Sequence, residues 1–170
     1  MKVTSAQAAK ILRKFEDDLS GIRSNEEMSN SFRAAVGEDI ESVRPKYDYE
    51  QTQKEIKEIE AKVRKLKHTI NLFNVQQVVP GFDMTIDQLL IYIPQLSRQR
   101  AKLAEMKSVL PKARAEIGYR ASNVNIIDYT YANYDIEKAA KDYDEITDLL
   151  SRAQTALDTV NNTVTFEIDI

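Results

Sequence analysis

Imidazole is the one side chain that exchanges protons near neutrality without help, so a search for chemistry starts with His68, the only histidine in the chain. The residues at 49, 52, 56, 59, 63, 66, 70 and 73, apolar except for Thr52, step by three and four. In that register His68 falls opposite the stripe through Leu66 and Ile70, facing water. No serine or acid stands beside it to make a nucleophile–base pair, so a solvated histidine is expected. With no cysteine, thiolate nucleophiles, disulfides and cysteine metal sites are excluded, as is a two-histidine metal centre within one chain. Asp142, Asp144, Glu145 and Asp148 crowd together as cation ligands would. They lack the alternation and glycine of a calcium loop and fall within a helical pattern, so they read as a solvated face. Asn71 and Asn74 suit capping or a hydrogen bond near a helix end. No phosphate-cradling glycine loop or ligand set appears. The expectation is therefore no enzyme, no cofactor and no metal.

Basic residues are the other chemistry-bearing group. Lys62, Arg64, Lys65, Lys67 and His68 share one stretch, and Arg98, Arg100, Lys102, Lys107, Lys112 and Arg114 follow. Tyr119, Tyr129, Tyr131 and Tyr134 come next, and tyrosines beside cations can stack on single-stranded nucleic acid. Against this, 24 basic residues face 27 acidic ones, and the net charge of -3 gives no general attraction to polyanions. Tyrosines alternating along a strand are also ordinary sheet packing. Association with nucleic acid (RNA), through Lys62, Arg64, Lys65, Lys67, Arg98, Arg100 and Lys102 on the basic face of a helical hairpin, is the alternative expectation.

The elements that would position these groups are mostly helices. In 170 residues there are only four glycines and four prolines, with 42% apolar and 30% charged residues, which suits long helices with few connections. Thr4 and Gln7, and again Thr85 and Gln88, have the types and spacing of capping boxes, while Asp48 and Asp135 can cap two further helices. Stripes at alternating three- and four-residue spacing predict helices over 5–22, 49–74, 86–110 and 136–161. The second repeats long enough for a coiled coil and would be roughly 39 Å long. Pairs such as Lys54–Glu58 and Glu60–Arg64 lie one turn apart on its wet side. The link from 75 to 85 lets the second and third helices lie antiparallel as a hairpin, and Pro94 and Pro111 interrupt and end the third. Alternation predicts strands over 31–36 and 163–170. A third, over 120–131, has a one-residue register shift at Ile126 and Ile127 that a bulge would explain. The expected class is α+β, mainly α: a single domain with four helices, a long coiled-coil-like antiparallel hairpin and a small three-stranded β-sheet.

Five segments together resemble a known family. KLKHTINLFN at 65–74, PGFDMTIDQLL at 80–90, PQLSRQR at 94–100, YANYDI at 131–136 and AQTALDTVNNTVTFEIDI at 153–170 are similar in order and spacing to the bacterial proteins labelled septicolysin. The resemblance covers about residue 45 to the C-terminus and implies a small helical protein. It brings no activity, substrate or catalytic residue. Nothing after Met1 and Lys2 has the apolar core of a signal peptide, and the most apolar stretch, 86–93, is too short to span a bilayer. A cytoplasmic protein without membrane contact is expected. Long stripes need covering along their whole length, so the main functional expectation is a non-catalytic, self-associating interaction or scaffold protein. Homo-oligomerisation would use Ile56, Ile59, Val63, Leu66 and Ile70, and an additional protein partner is possible.

Overall fold

Thr4 starts the first helix through two reciprocal hydrogen bonds. Its Oγ1 accepts from the Gln7 amide at 3.3 Å, and the Gln7 Oε1 accepts from the Thr4 amide at 3.0 Å. The same exchange joins Thr85 and Gln88, at 3.4 and 2.9 Å. Asp48 and Asp135 cap more simply, each accepting from the amide three residues on at 3.0 Å. Each box satisfies two amides that the first helical turn leaves without partners. Thr4→Ala and Thr85→Ala should each lower unfolding free energy by about 1 kcal/mol, read as a shifted urea midpoint at unchanged slope.

The computed structural model describes residues 1–115 and 128–170. In chain order these form β1 (Lys2–Thr4), α1 (Ser5–Ser29), α2 (Ile40–Val43), α3 (Tyr49–Gln76), β2 (Val78–Val79) and β3 (Met84–Thr85). There follow α4 (Ile86–Ser108), β4 (Lys112–Arg114), β5 (Tyr129–Tyr131), α5 (Ile136–Thr163) and β6 (Thr165–Glu167). The class is α+β and mainly α, as the composition and stripes imply. Two compact units divide the chain: Met1–Gln77 with Asp158–Ile170, and Val78–Leu157.

In the first unit α1 and α3 lie antiparallel. Glu16 pairs with Lys67 and Arg23 with Glu60, each at 2.7 Å, so residue numbers fall along one helix as they rise along the other. Val3, Ala8, Leu66 and Ile168 form the buried cluster, with Ile11, Leu12, Phe15, Ile70 and Phe166 packed against it. β1 and β6 pair antiparallel, setting Val3 opposite Phe166, and the Phe166 ring stacks on Phe73 at 4.4 Å. In the second unit β2 and β3 form a hairpin whose turn needs Gly81, at φ +85°, a conformation glycine adopts without penalty. Ile86, Leu89 and Leu96 of α4 and Ala139, Leu150, Ala153 and Leu157 of α5 are buried. The Tyr134 hydroxyl donates to the Met106 carbonyl at 2.8 Å.

Several expectations are corrected. Residues 31–36 form no strand. They are exposed, and Phe32 lies under the Arg44 guanidinium, 5.3 Å from its ring centre; six alternating residues with no partner strand do not make a sheet. The expected three-stranded sheet is replaced, among the described residues, by three separate two-stranded ribbons: β1–β6, β2–β3 and β4–β5. The C-terminal strand therefore pairs with residues 2–4, and its helix runs on to Thr163. Of the strand expected over 120–131, residues up to 127 lie outside the described ones; β5 alone is seen, paired with β4. α1 passes through Gly21 to Ser29, because Ile22 continues the stripe and Arg23 reaches Glu60 beyond it. Within its own unit α3 packs antiparallel on α1, a pairing that no stretch of sequence indicates. The short α2 is a helix that no stripe predicts, and the helix expected over 86–110 ends at Ser108, leaving Leu110 exposed.

Candidate functional site

Of the five residues expected to mediate self-association, Leu66 and Ile56 are buried, at 0% and 9% exposure. Ile59, Val63 and Ile70 are only half-buried. Leu12, Phe15, Leu19 and Ile22 on α1 are half-buried too. The geometry explains this directly. Two helices meet along one line, whereas an amphipathic stripe is at least about 100° wide, so a single partner leaves its flanks open. On one side of the α1–α3 seam a groove of about 680 Å³ has Leu19 and Val63 in its lining, flanked by Glu16, Arg23, Glu60, Arg64 and Lys67. The Glu16–Lys67 and Arg23–Glu60 pairs cross it, and their half-exposed side chains hold register more than they add stability.

The basic residues of α3 do not share one face. On α3, at about 100° per residue, Lys62 and Lys67 flank the apolar stripe on opposite sides, while Arg64 and Lys65 lie on the outer surface. Lys65 pairs with Asp169 at 2.7 Å and Lys67 with Glu16, so two of the four are engaged. Arg98, Arg100 and Lys102 are exposed on α4, in the other unit. Arg98 and Lys102 share a side, and Arg100 falls where the apolar stripe lapses between Leu96 and Leu103. His68 is exposed, opposite the stripe, as its register implies.

Among the described residues two ionisable groups are perturbed by neighbours. The Tyr47 hydroxyl donates to Glu26 Oε1 at 2.8 Å, and this bond, with some desolvation and the carboxylate's charge, holds the phenol above its ordinary value. Gln53 donates to the same oxygen at 2.6 Å, fixing the 30–48 connection against both helices. The hydrogen bond and charge of Lys65 hold the Asp169 carboxyl below its ordinary value. Asp142, Asp144, Glu145 and Asp148 lie along α5, and among the described residues no group of three or more histidines, aspartates and glutamates is placed to hold a metal ion. Asn71 is exposed and Asn74 half-buried near the end of α3.

One cluster was not assembled by sequence reasoning. β4 and β5 pair so that Lys112 faces Tyr131 and Arg114 faces Tyr129. Both runs alternate, and the tyrosines and cations are visible in the sequence, but nothing in either run names the other as its partner.

The chain thus has a mainly helical α+β fold with short antiparallel ribbons and a partly covered helix pair. It is similar over 98% of its length to a crystal structure of a functionally unknown conserved protein from Corynebacterium diphtheriae, covering 100% of that chain with a TM-score of 0.61 and 15% identity. At that identity the likeness concerns the fold alone. No family model and no curated protein matches the chain. Among the described residues no helix is long and apolar enough to cross a membrane.

Proposed function

We propose that this protein is a non-catalytic, self-associating helical interaction protein of the bacterial cytoplasm, using the α1–α3 pair as its contact surface. Kinship with the septicolysin-labelled proteins is part of the same proposal. The observation that carries it is the half-covered stripe. Ile59, Val63 and Ile70 on α3, and Leu12, Leu19 and Ile22 on α1, stay only half-buried in the folded chain. Removing apolar surface from water contributes about 25 cal/mol per Å², and a second copy of the same pair can cover both flanks at once, as in a four-helix bundle. A twofold arrangement lets one patch serve both copies.

The test is a mass. Light scattering behind size exclusion should give at least twice the 19.5 kDa of one chain at micromolar concentration. Ile59→Glu with Val63→Glu, both at half-buried positions, should reduce that mass to one chain while the circular dichroism spectrum stays helical. A wild-type protein that elutes at the mass of one chain overturns the proposal.

A further inference from the structure

In an antiparallel ribbon, residues directly opposite each other put their side chains on the same face, and so do residues two apart on one strand. Lys112 faces Tyr131 and Arg114 faces Tyr129. All four side chains therefore share one face of the β4–β5 ribbon. Ala113, Thr130 and their neighbours Ala115 and Asp128 alternate onto the other face, where the Ala115 amide donates to the Asp128 carbonyl at 2.9 Å. The only acid beside β5 among the described residues is thus turned away from the cations. Tyr129 and Tyr131 are 48% and 61% exposed, and the Lys112 ammonium lies over their rings, 4.1 and 5.4 Å from the two centroids. Among the described residues nothing buries this face as core.

We propose that the face formed by Lys112, Arg114, Tyr129 and Tyr131 is a contact site for single-stranded nucleic acid. The inference goes beyond the self-association proposed above and stands on other residues, so either can fail alone. Two adjacent exposed π-faces suit unpaired bases, which stack on aromatic rings without regard to sequence. Two cations on the same face suit the phosphates between those bases, and a cation already held over a ring marks where positive charge and π-surface meet. A duplex offers the phosphates but hides its base faces, so it satisfies only half of the site.

Fluorescence polarisation of labelled oligothymidylate and oligouridylate at low salt provides the test, with a duplex of the same length and heparin as arms. Both single strands should bind, and more tightly than the duplex. Tyr129→Ala with Tyr131→Ala should weaken binding by about tenfold or more, whereas the Phe pair at the same positions should keep it within about twofold, since stacking survives loss of the hydroxyl. Lys112→Gln with Arg114→Gln should lower the slope of log K against log salt by about 1.4, two phosphate contacts at about 0.7 each. Melting curves of each variant establish that the fold is intact. Absence of single-strand binding overturns the proposal. So does an intact alanine pair that binds as wild type, or a duplex or heparin that binds as tightly as the single strands, since each means that charge alone is read.

Discussion

Leu66→Asp should abolish cooperative folding at room temperature. Leu66 has no exposed surface and sits in the cluster with Val3, Ala8 and Ile168, where β1, α1, α3 and the C-terminal segment meet. The substitution removes a large aliphatic side chain from a filled site, which alone costs about 2–5 kcal/mol. It also leaves a carboxyl group with no partner there: among the described residues Lys65 is held by Asp169 and Lys67 by Glu16. The combined loss is comparable with the roughly 5–15 kcal/mol that keeps an ordinary domain folded. Circular dichroism should show no cooperative melt, and amide protection in α1 and α3 should vanish. His68→Ala, two residues away on the exposed side of the same helix, should melt like the wild type. A Leu66→Asp protein whose melting curve superimposes on wild type would remove Leu66 from the core.

How much of this was legible in the sequence depends on the range over which each feature is written. The α3 stripe from Ile56 to Phe73 is periodic over many turns, and a caps-and-stripe signal of that length survives any tertiary context. The capping boxes at Thr4 and Thr85 are four-residue statements and came through whole. Partner choice is different. The short 75–85 link points to the following helix as a neighbour of α3, and nothing local points to α1. The α1–α3 contact is expressed in distant pairs, Glu16 with Lys67 and Arg23 with Glu60, that no local pattern contains. Short ribbons fail for a related reason. The alternation of Val164, Phe166, Ile168 and Ile170 marks the C-terminal strand, but Lys2–Thr4 is three residues long, too brief for a period, and nothing local names it as the partner. Phe32, Ala34 and Val36 alternate too, yet have no partner strand and remain exposed. The candidate contact stripe was therefore readable residue by residue, whereas its degree of coverage was not. The ribbon face of Lys112, Arg114, Tyr129 and Tyr131 was visible as ingredients and invisible as a surface.

The partnership of the two ends of the described chain leads to the other large effect. Removing residues 164–170 should lower the melting temperature sharply or drive the protein to aggregate. Ile168 is 3% exposed within the same cluster as Leu66, and Phe166 stacks on Phe73. Burial of such side chains contributes about 1.5–3 kcal/mol each, so the segment carries a large fraction of a domain's margin. Its backbone matters as well. The Ile168 amide donates to the Met1 carbonyl at 2.9 Å, the Met1 amino group donates to the Ile168 carbonyl at 2.6 Å, and β6 is the only described strand paired with β1. Without it β1 becomes an open edge above an uncovered apolar cluster, a template for pairing with other chains. Alternation sorts the individual side chains. Phe166→Ser should reproduce much of the loss, because it removes both the stacked ring and the contact opposite Val3. Thr165→Ser, on the exposed side, should be nearly silent, and so should Ile170→Ser, since Ile170 is already 43% exposed. Differential scanning calorimetry on the four variants reads these differences directly. A truncated protein that melts with the full-length one would mean that Val3, Ala8 and Leu66 are held together by the α1–α3 contact alone. β1 and β6 would then be a consequence of the core and not part of what makes it.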